Sequence, residues 1–217
     1  MANPLVSVVV VCFNGLKITR RCLAGLLNQD YDPREIIVVD NGSQEDIRGM
    51  VAREYPRFRF LGMDRNLGFA GGYNRGMEAA RGKYVAIINN DAVASPQWLG
   101  ALVAAAEQDE GIGAVASIIA DGNRPDVLDS CGVGLALDGM SRQLMRGLPV
   151  PVLDAPKEVL LASGCACLFR TDALKAAGLF DESFFAYCED TDLGLRLRWA
   201  GFRTVVAPSA HVTHCYS

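Results

Sequence analysis

The first 120 residues alternate short β-branched runs with stretches of helical periodicity, and this alternation limits the fold more than any other feature of the chain. Val6 to Cys12 is a β-branched run that Asn14-Gly15 breaks. A helical stretch follows, with Ile18, Cys22 and Leu26 on one face. Glu35 to Val39 reads as a second strand closed by Asp40-Asn41-Gly42-Ser43, Ile47 to Tyr55 as a helix, and Phe58 to Leu61 as a third strand. Asn66 suits the cap of a helix from about Leu67 to Ala80, with Gly82 as its stop. Gly68, Gly71, Gly72 and Gly76 lower the propensity of that helix, which points to close backbone approach. Tyr84 to Ile88 is a fourth strand, and Ser95-Pro96 a cap and first-turn pair for a helix to Gln108. Ile112 to Ile119 is a fifth strand.

Strands that alternate with helices, and that are apolar almost throughout, indicate βαβ units and an α/β fold with a mostly parallel sheet buried on both faces. Ligands bind such sheets beyond the carboxyl ends of the strands. Asn14, Asp40 and the segment Asn89 to Asp91 fall at those ends.

After Gly122 the pattern changes. Residues 122 to 158 read as loops with one hairpin near Val133 to Leu137. Leu160 to Arg170 contains strand-like runs, Asp172 to Ala177 and Thr191 to Ala200 are short helices, and Arg203 to Val206 is a last short strand. A chain of 217 residues suits a single domain. The net charge of −4 and scattered basic residues speak against a nucleic-acid partner. The seven cysteines include no C-x-x-C pair; Cys165 and Cys167 would share one strand face, a poor metal clasp. An odd number of dispersed, apolar-flanked thiols fits a reducing compartment. The run from Leu5 to Phe13 is too short to cross a bilayer.

Three segments carry candidate chemistry. Ile87-Ile88-Asn89-Asn90-Asp91-Ala92 ends a strand, where a carboxylate can hold a divalent ion and the ion a diphosphate, or where Asp91 can merely cap a turn. Glu189-Asp190-Thr191-Asp192 opens a helix. The plain reading there is charge complementing the helix dipole, with Asp192 paired to Arg196 four residues on. A general base needs one ionised carboxylate, and adjacent helical residues do not share a face, so Glu189 and Asp190 should not do the same work. Asp40-Asn41-Gly42-Ser43 by itself reads first as an ordinary turn, and Arg65-Asn66-Leu67-Gly68 as only a helix start. Of the two histidines, His214 suits a metal-ligand role and His211 a structural or surface one.

Taken in order, these segments resemble glycosyltransferase family two of the GT-A fold, in its rhamnosyltransferase-like branch. The pieces that carry the resemblance are residues 6 to 14, Val39 to Ser43, the stretch Asn66 to Gly76, and Phe180-Asp181-Glu182 with Phe185 and Glu189 to Leu193. The resemblance implies a single domain, with a nucleotide-sugar half over 1–120 and an acceptor half over 121–217. It implies an inverting, metal-dependent hexosyl transfer using Mg2+ or Mn2+. The expected partners are a UDP- or dTDP-sugar and a glycan or lipid-linked glycan acceptor. The expected setting is bacterial surface polysaccharide synthesis, in the cytoplasm or at the inner face of the membrane. By the same resemblance Cys12, Phe13, Asn14 and Asp40 surround the base and ribose, Arg65, Asn66 and Asn74 line the nucleotide side, and Asn89-Asn90-Asp91 occupies the D-x-D position. Asp91 and His214 are the expected metal ligands, Asp190 the base, and Gly164 and Glu189 acceptor-side residues.

Asn89 departs from the D-x-D pattern and brings no charge, so the ion would rely on Asp91, the donor phosphates, water and His214, binding weakly without donor. Relatives of this family usually continue beyond the position of Ser217, so a compact enzyme and a domain of something longer both fit. A rival of another class is a non-catalytic nucleotide-sugar-binding module, suggested by Asn89 and the short C-terminus. A dinucleotide-dependent oxidoreductase would need G-x-G-x-x-G after the first strand, where Cys12-Phe13-Asn14-Gly15-Leu16 stands instead; no G-K-[ST] phosphate loop is present either.

Overall fold

A computed structural model describes residues 2–151 and 153–216. In chain order the strands are β1 (Val6–Cys12), β2 (Arg34–Asp40), β3 (Arg59–Gly62), β4 (Tyr84–Ile88), β5 (Ala92–Ala94), β6 (Ile112–Asp121), β7 (Arg124–Ser130), β8 (Val133–Leu135), β9 (Ser141–Gln143), β10 (Lys157–Val159), β11 (Ala166–Arg170) and β12 (Arg203–His214). The helices are α1 (Leu16–Leu27), α2 (Ile47–Glu54), α3 (Gly68–Ala79), α4 (Trp98–Ala106), α5 (Thr171–Ala177) and α6 (Glu189–Trp199).

The main sheet runs β10-β12-β6-β11-β4-β1-β2-β3. β1, β2, β3 and β4 are mutually parallel, β11 is antiparallel to both β4 and β6, and β12 is parallel to β6. Side chains alternate across the sheet. Val6, Val8 and Val10 pack with α1, α2 and α4 on one face, while Val9 packs with α3, α5 and α6 on the other. The continuous valine run of β1 is therefore apolar because both faces are covered.

Helix α3 lies close on β1. A Cβ on Gly76 would sit 2.2 Å from a Val9 methyl, and one on Gly72 2.7 Å from Val11. Asn66 does serve the start of this helix, its Oδ1 accepting from the Gly68 amide at 2.8 Å, although the helical turn begins at Gly68 itself. Gly82 does not stop α3, which has already ended at Ala79; a Cβ on Gly82 would meet the backbone of Leu5 and Tyr84.

Four expectations are corrected. Ser95 does not cap α4 with its side chain: its Oγ is buried without a hydrogen-bond partner among the described residues. Gln29, from the chain just past α1, accepts from the Leu99 amide and donates to the Ser95 carbonyl. Residues 122–158 are mostly loop and turn with a hairpin at β8–β9, as read, but they also hold the strands β7 and β10, which the reading did not include. Strand β12 is far longer than Arg203 to Val206. It passes through a register shift between Val206 and His211, where Pro208 sits, and pairs on to His214. Finally, Cys165 precedes β11 and packs on the opposite side from Cys167. Of the seven free thiols five are buried, while Cys188 is exposed and Cys215 half-buried.

Gly76→Ala should destabilise the chain by about 1–3 kcal/mol through overpacking against Val9, lowering Tm by roughly 2–4 °C per kcal/mol. An unchanged thermal melt would mean that α3 can lift from β1 freely.

Candidate active site

The carboxyl ends of β1, β2 and β4 converge on two adjoining hollows. The first, of about 280 Å³, is lined by residues that include Phe13, Asn41, Asn66, Asn89, Asn90 and Asp91. The second, of about 450 Å³, is lined by Asp129, Gln143, Arg146, Gly164, Glu189, Asp190 and His214 among others. Phe69, Asn89 and Ala186 belong to both, so the hollows share a wall.

Donor-side candidates divide into two groups. Phe13, Asn66, Asn89, Asn90 and Asp91 line the smaller hollow. Cys12, Asn14, Asp40, Arg65 and Asn74 do not. Cys12 is buried, its thiol donates to the Val39 carbonyl, and burial pushes its pKa up to about 12. Asn14 and Asp40 tie two turns together: the Asn14 amide donates to Ser43 Oγ and the Ser43 amide to Asp40 Oδ1. Arg65 is exposed. Asn74 is buried with its amide spent on the Phe180 backbone and Glu182. It holds the chain leading to α6 against α3 rather than facing the hollow. Asn41, part of the marked Asp40 to Ser43 segment but given no role of its own, is buried just after β2. It accepts from the Leu67 amide and donates to Asn66 Oδ1 and the Gly68 carbonyl, fixing the floor of the hollow.

At the seam, strand pairing brings distant residues together. β5 pairs with the end of β12, setting His214 opposite Ala92, and the Cys215 amide donates to the Asp91 carbonyl at 2.7 Å. His214 Nε2 lies 3.3 Å from Asp91 Oδ1, while its Nδ1 lies 2.9 Å from Asp129 Oδ2. Burial alone would lower the pKa of His214, but the carboxylates of Asp129 and Asp91 outweigh it and hold the imidazole well above its ordinary value. Asp129 is a residue that sequence reasoning missed. It sits in a segment read as loop, and only its place at the end of β7 reveals it. Burial would raise its carboxyl; His214, Tyr216 and Arg146 around it hold it below the usual range instead.

A divalent cation fits this seam. Once an ion displaces the proton that the two aspartates hold on His214, a carboxylate oxygen and an imidazole nitrogen 3.3 Å apart match neighbouring ligands of one ion at bond lengths of about 2.0–2.2 Å. No three His, Cys, Asp or Glu side chains among the described residues form a group able to hold a metal by themselves. The remaining ligands would be donor phosphate oxygens and water, as Mg2+ commonly takes. Asn89 adds an amide only, and its Oδ1 accepts from the Tyr73 hydroxyl at 3.2 Å.

On the opposite side of the shared wall, Asp190 sits in the first turn of α6 and its Oδ2 accepts from the Gly164 amide at 2.9 Å. Asp192 pairs with Arg196 at 2.6 Å and is not part of the cavity lining. Glu189 and Asp190 line one cavity despite being adjacent, because Glu189 begins the helix and turns inward, only 5% exposed. Burial, with Asp190 beside it, pushes the Glu189 pKa up to about 7. The entry to α6 is a bent loop in which Phe185, Tyr187 and Cys188 all adopt positive φ. Its Phe185 carbonyl accepts from the Phe69 amide at the start of α3. Gly68, at φ +75°, is needed there, since a Cβ would lie 2.4 Å from that carbonyl. His211 is exposed on β12 and takes no part.

Comparison with known proteins shows the family and the fold. The family model described as glycosyl transferase family 2 matches residues 7–177. The chain is 31% identical to the N-acetylglucosaminyl-diphospho-decaprenol L-rhamnosyltransferase of Mycobacterium tuberculosis, over 98% of this chain and 76% of that protein. It is 26% identical to the O-antigen biosynthesis protein RfbC of Myxococcus xanthus, over 98% of this chain and 17% of that protein. Among solved structures, GalNAc-T7 with UDP, GalNAc and Mn2+ superposes with a TM-score of 0.80 at 16% identity, covering 98% of this chain and 44% of that one. The mannosyltransferase PcManGT from Pyrobaculum calidifontis, in complex with GDP-Man and Mn2+, gives 0.73 at 19% identity, covering 100% and 58%. The chain thus spans less than two thirds of either solved protein. These likenesses show a GT-A fold.

Two outcomes follow from the charges. Asp129→Ala should weaken Mn2+ affinity, measured calorimetrically with nucleoside diphosphate present, by roughly 10–100-fold, because the outer partner of a ligating histidine orients it. An unchanged affinity would remove Asp129 from the seam's function. The raised Glu189 pKa means that the folded chain keeps a proton the unfolded chain has lost. Its contribution to stability is full below about pH 4.5 and is lost as pH rises through about 7. Glu189→Gln should flatten that part of the Tm-against-pH curve; a parallel curve would show that folding leaves the Glu189 pKa unshifted.

Proposed function

The chain belongs to glycosyl transferase family 2, and from that membership we propose that it moves a sugar from a UDP- or dTDP-linked donor to an acceptor hydroxyl, inverting the anomeric carbon. The supporting observation is that Asp91 lines one hollow and Asp190 the next, with Phe69, Asn89 and Ala186 between them. A donor whose diphosphate lies at Asp91 has its anomeric carbon near the shared wall, and an acceptor in the larger hollow approaches from the Asp190 side.

Asp190, oriented by the Gly164 amide, takes the proton of the acceptor hydroxyl. The hydroxyl oxygen forms its bond to the anomeric carbon as the bond to the diphosphate oxygen breaks on the opposite face. The transition state has oxocarbenium character, as in glycoside chemistry generally. Asp91 and His214 would hold Mg2+ or Mn2+, which neutralises the departing diphosphate when bound. Asn41 and Asn66 shape the floor beneath the nucleotide, and Phe13 offers an exposed ring beside it.

The mycobacterial relative is named for rhamnosyl transfer to a lipid-linked sugar diphosphate, and two structural neighbours hold Mn2+ with UDP or GDP-Man. Rhamnose as the sugar, a glycan or lipid-linked glycan as acceptor, and bacterial surface polysaccharide as the setting follow by analogy. Action at the inner face of the membrane would then be peripheral for this stretch of chain, since no described helix is long and apolar enough to cross a bilayer.

Asp190→Asn should lower kcat by about 10²–10⁴-fold while leaving the calorimetric affinity for the nucleotide sugar unchanged. Wild-type transfer by this variant would refute the base assignment. Among nucleotide sugars screened with Mn2+, the true donor at a hundred times its Kd should stabilise the fold by about 2.7 kcal/mol; a flat screen would count against donor binding.

A further inference from the structure

Exposed apolar side chains gather beside the larger hollow. Twelve large ones are exposed among the described residues, and eight of these fall within 135–148 and 184–187. Single exposed apolar residues are ordinary, but two short segments that hold most of them need an explanation. The two segments adjoin. Met140 and Ser141 of the β8–β9 hairpin, with Phe184, Cys188 and Leu195 on the α6 side, line a common groove of about 310 Å³. Behind them, Gln143 and Arg146 from one segment and Tyr187 from the other line the larger hollow. The apolar tips therefore stand beside the cavity that Asp190 lines.

Three turns carry these tips, and each closes backbone hydrogen bonds of its own. In the hairpin turn the Ala136 amide donates to the Met140 carbonyl and the Gly139 amide to the Ala136 carbonyl, both at 2.9 Å, with Leu137 fully exposed between them. In the next turn the Leu148 amide donates to the Met145 carbonyl at 3.1 Å. In the loop before α6 the Phe185 amide donates to the Glu182 carbonyl and the Ala186 amide to the Phe184 carbonyl. A turn bonded internally loses less on leaving water than an open loop does. The charges beside the tips are matched: Asp138 pairs with Arg142 at 2.8 Å, Arg146 with Asp129 at 3.3 Å and Glu182 with Arg75 at 3.4 Å. Asp181 is exposed, and the chain as a whole carries a net charge of −4. What this surface offers a partner is apolar area rather than surplus positive charge.

We propose that the 136–140 tip, the 145–148 turn and the 184–187 loop form a docking surface for a lipid bilayer, which takes up Leu137 and Met140 in its outer apolar layer and holds the ring of Tyr187 at headgroup level, where amphipathic rings are favoured. A second copy of this chain seated on the same patch would cover the larger hollow. A bilayer instead delivers to that hollow an acceptor whose carrier is a lipid, and the mycobacterial relative is named for such an acceptor. Attachment by apolar insertion is insensitive to lipid charge and to salt, because it does not depend on Coulomb attraction. The surface rests on the transfer reading above and adds to it the partner and the face that meets it.

Flotation of the full chain with phosphatidylcholine vesicles tests this without donor or acceptor. The wild type should float with the vesicles, and about 0.5 M salt, which screens exposed charges, should not release it. Leu137→Gln and Met140→Gln should each lower the partition coefficient by roughly tenfold. Leu27→Gln, at the exposed end of α1, should leave it unchanged. Melting curves check that each variant folds. Leu137→Trp gives a second reading: its added fluorescence should shift to the blue on vesicles and be quenched by lipids brominated along the chain. A wild type that stays in the aqueous layer, or that binds only phosphatidylserine vesicles at low salt, overturns the docking surface, as does a Leu137→Trp spectrum unchanged by vesicles. So does a lipid-free wild type that sediments as a dimer and becomes a monomer in both glutamine variants, since the patch would then join two copies. Donor hydrolysis with Mn2+, using the donor found in the nucleotide-sugar screen, judges the underlying reading separately. Hydrolysis without flotation fails the docking surface and leaves transfer standing; flotation without hydrolysis or transfer fails the transfer reading and leaves the surface standing.

Discussion

The whole site depends on β12 pairing with two strands at once. Along one edge it runs parallel to β6, and at its far end it also takes β5 as an antiparallel partner. That double pairing draws the chain near residue 214 onto the end of the segment after β4. The His214 imidazole and the Asp91 carboxylate then lie 3.3 Å apart, although more than a hundred residues separate them in sequence. Backbone hydrogen bonds, rather than the attraction of the two charges, therefore set the geometry. The shift of register around Pro208 lets one strand serve both partners, since proline is tolerated at such irregularities.

A second coupling joins the two hollows. The loop before α6 gives its Phe185 carbonyl to the first turn of α3, and Asn74 on α3 holds the Phe180 backbone in return. The helix behind the smaller hollow and the loop beside Asp190 are in this way fastened to each other. Three non-glycine residues at positive φ in that loop are strained by about 1–3 kcal/mol each, and the contacts to α3 hold them there. Asn74 thus contributes to the site through the placement of the 180–188 segment and not by touching a ligand.

Local chemistry made much of this legible in the sequence. The β-branched runs and glycine-asparagine turns specify β1 to β4 and α1 to α3 within a few residues, because each is a regular element with a clear period. The polar residues at Asn89 to Asp91 stood out for the same reason: they follow an apolar strand where an α/β sheet opens. What was not legible depends on partners distant in the chain. Gln29 rather than Ser95 satisfies the start of α4, because the chain just past α1 reaches that helix end. β7 and β10 form only by leaning on β6 and β12, so their own composition reads as loop. Asp129 is invisible for that reason, and so is the inward turn of Glu189, which an adjacent-residue argument on an ideal helix misplaces. Cys12 and Asn74 looked like ligand contacts because they lie in the right motifs, yet their side chains are used to build the frame.

The account turns on a base and a diphosphate on opposite sides of one anomeric carbon. The most direct test is the stereochemistry of the product, followed by proton NMR of the anomeric signal during turnover with the identified donor. The geometry predicts a first-formed product whose anomeric configuration is opposite to that of the donor sugar. A first-formed product with the donor's own configuration would contradict a single displacement assisted by Asp190, and with it the division of labour between the two hollows.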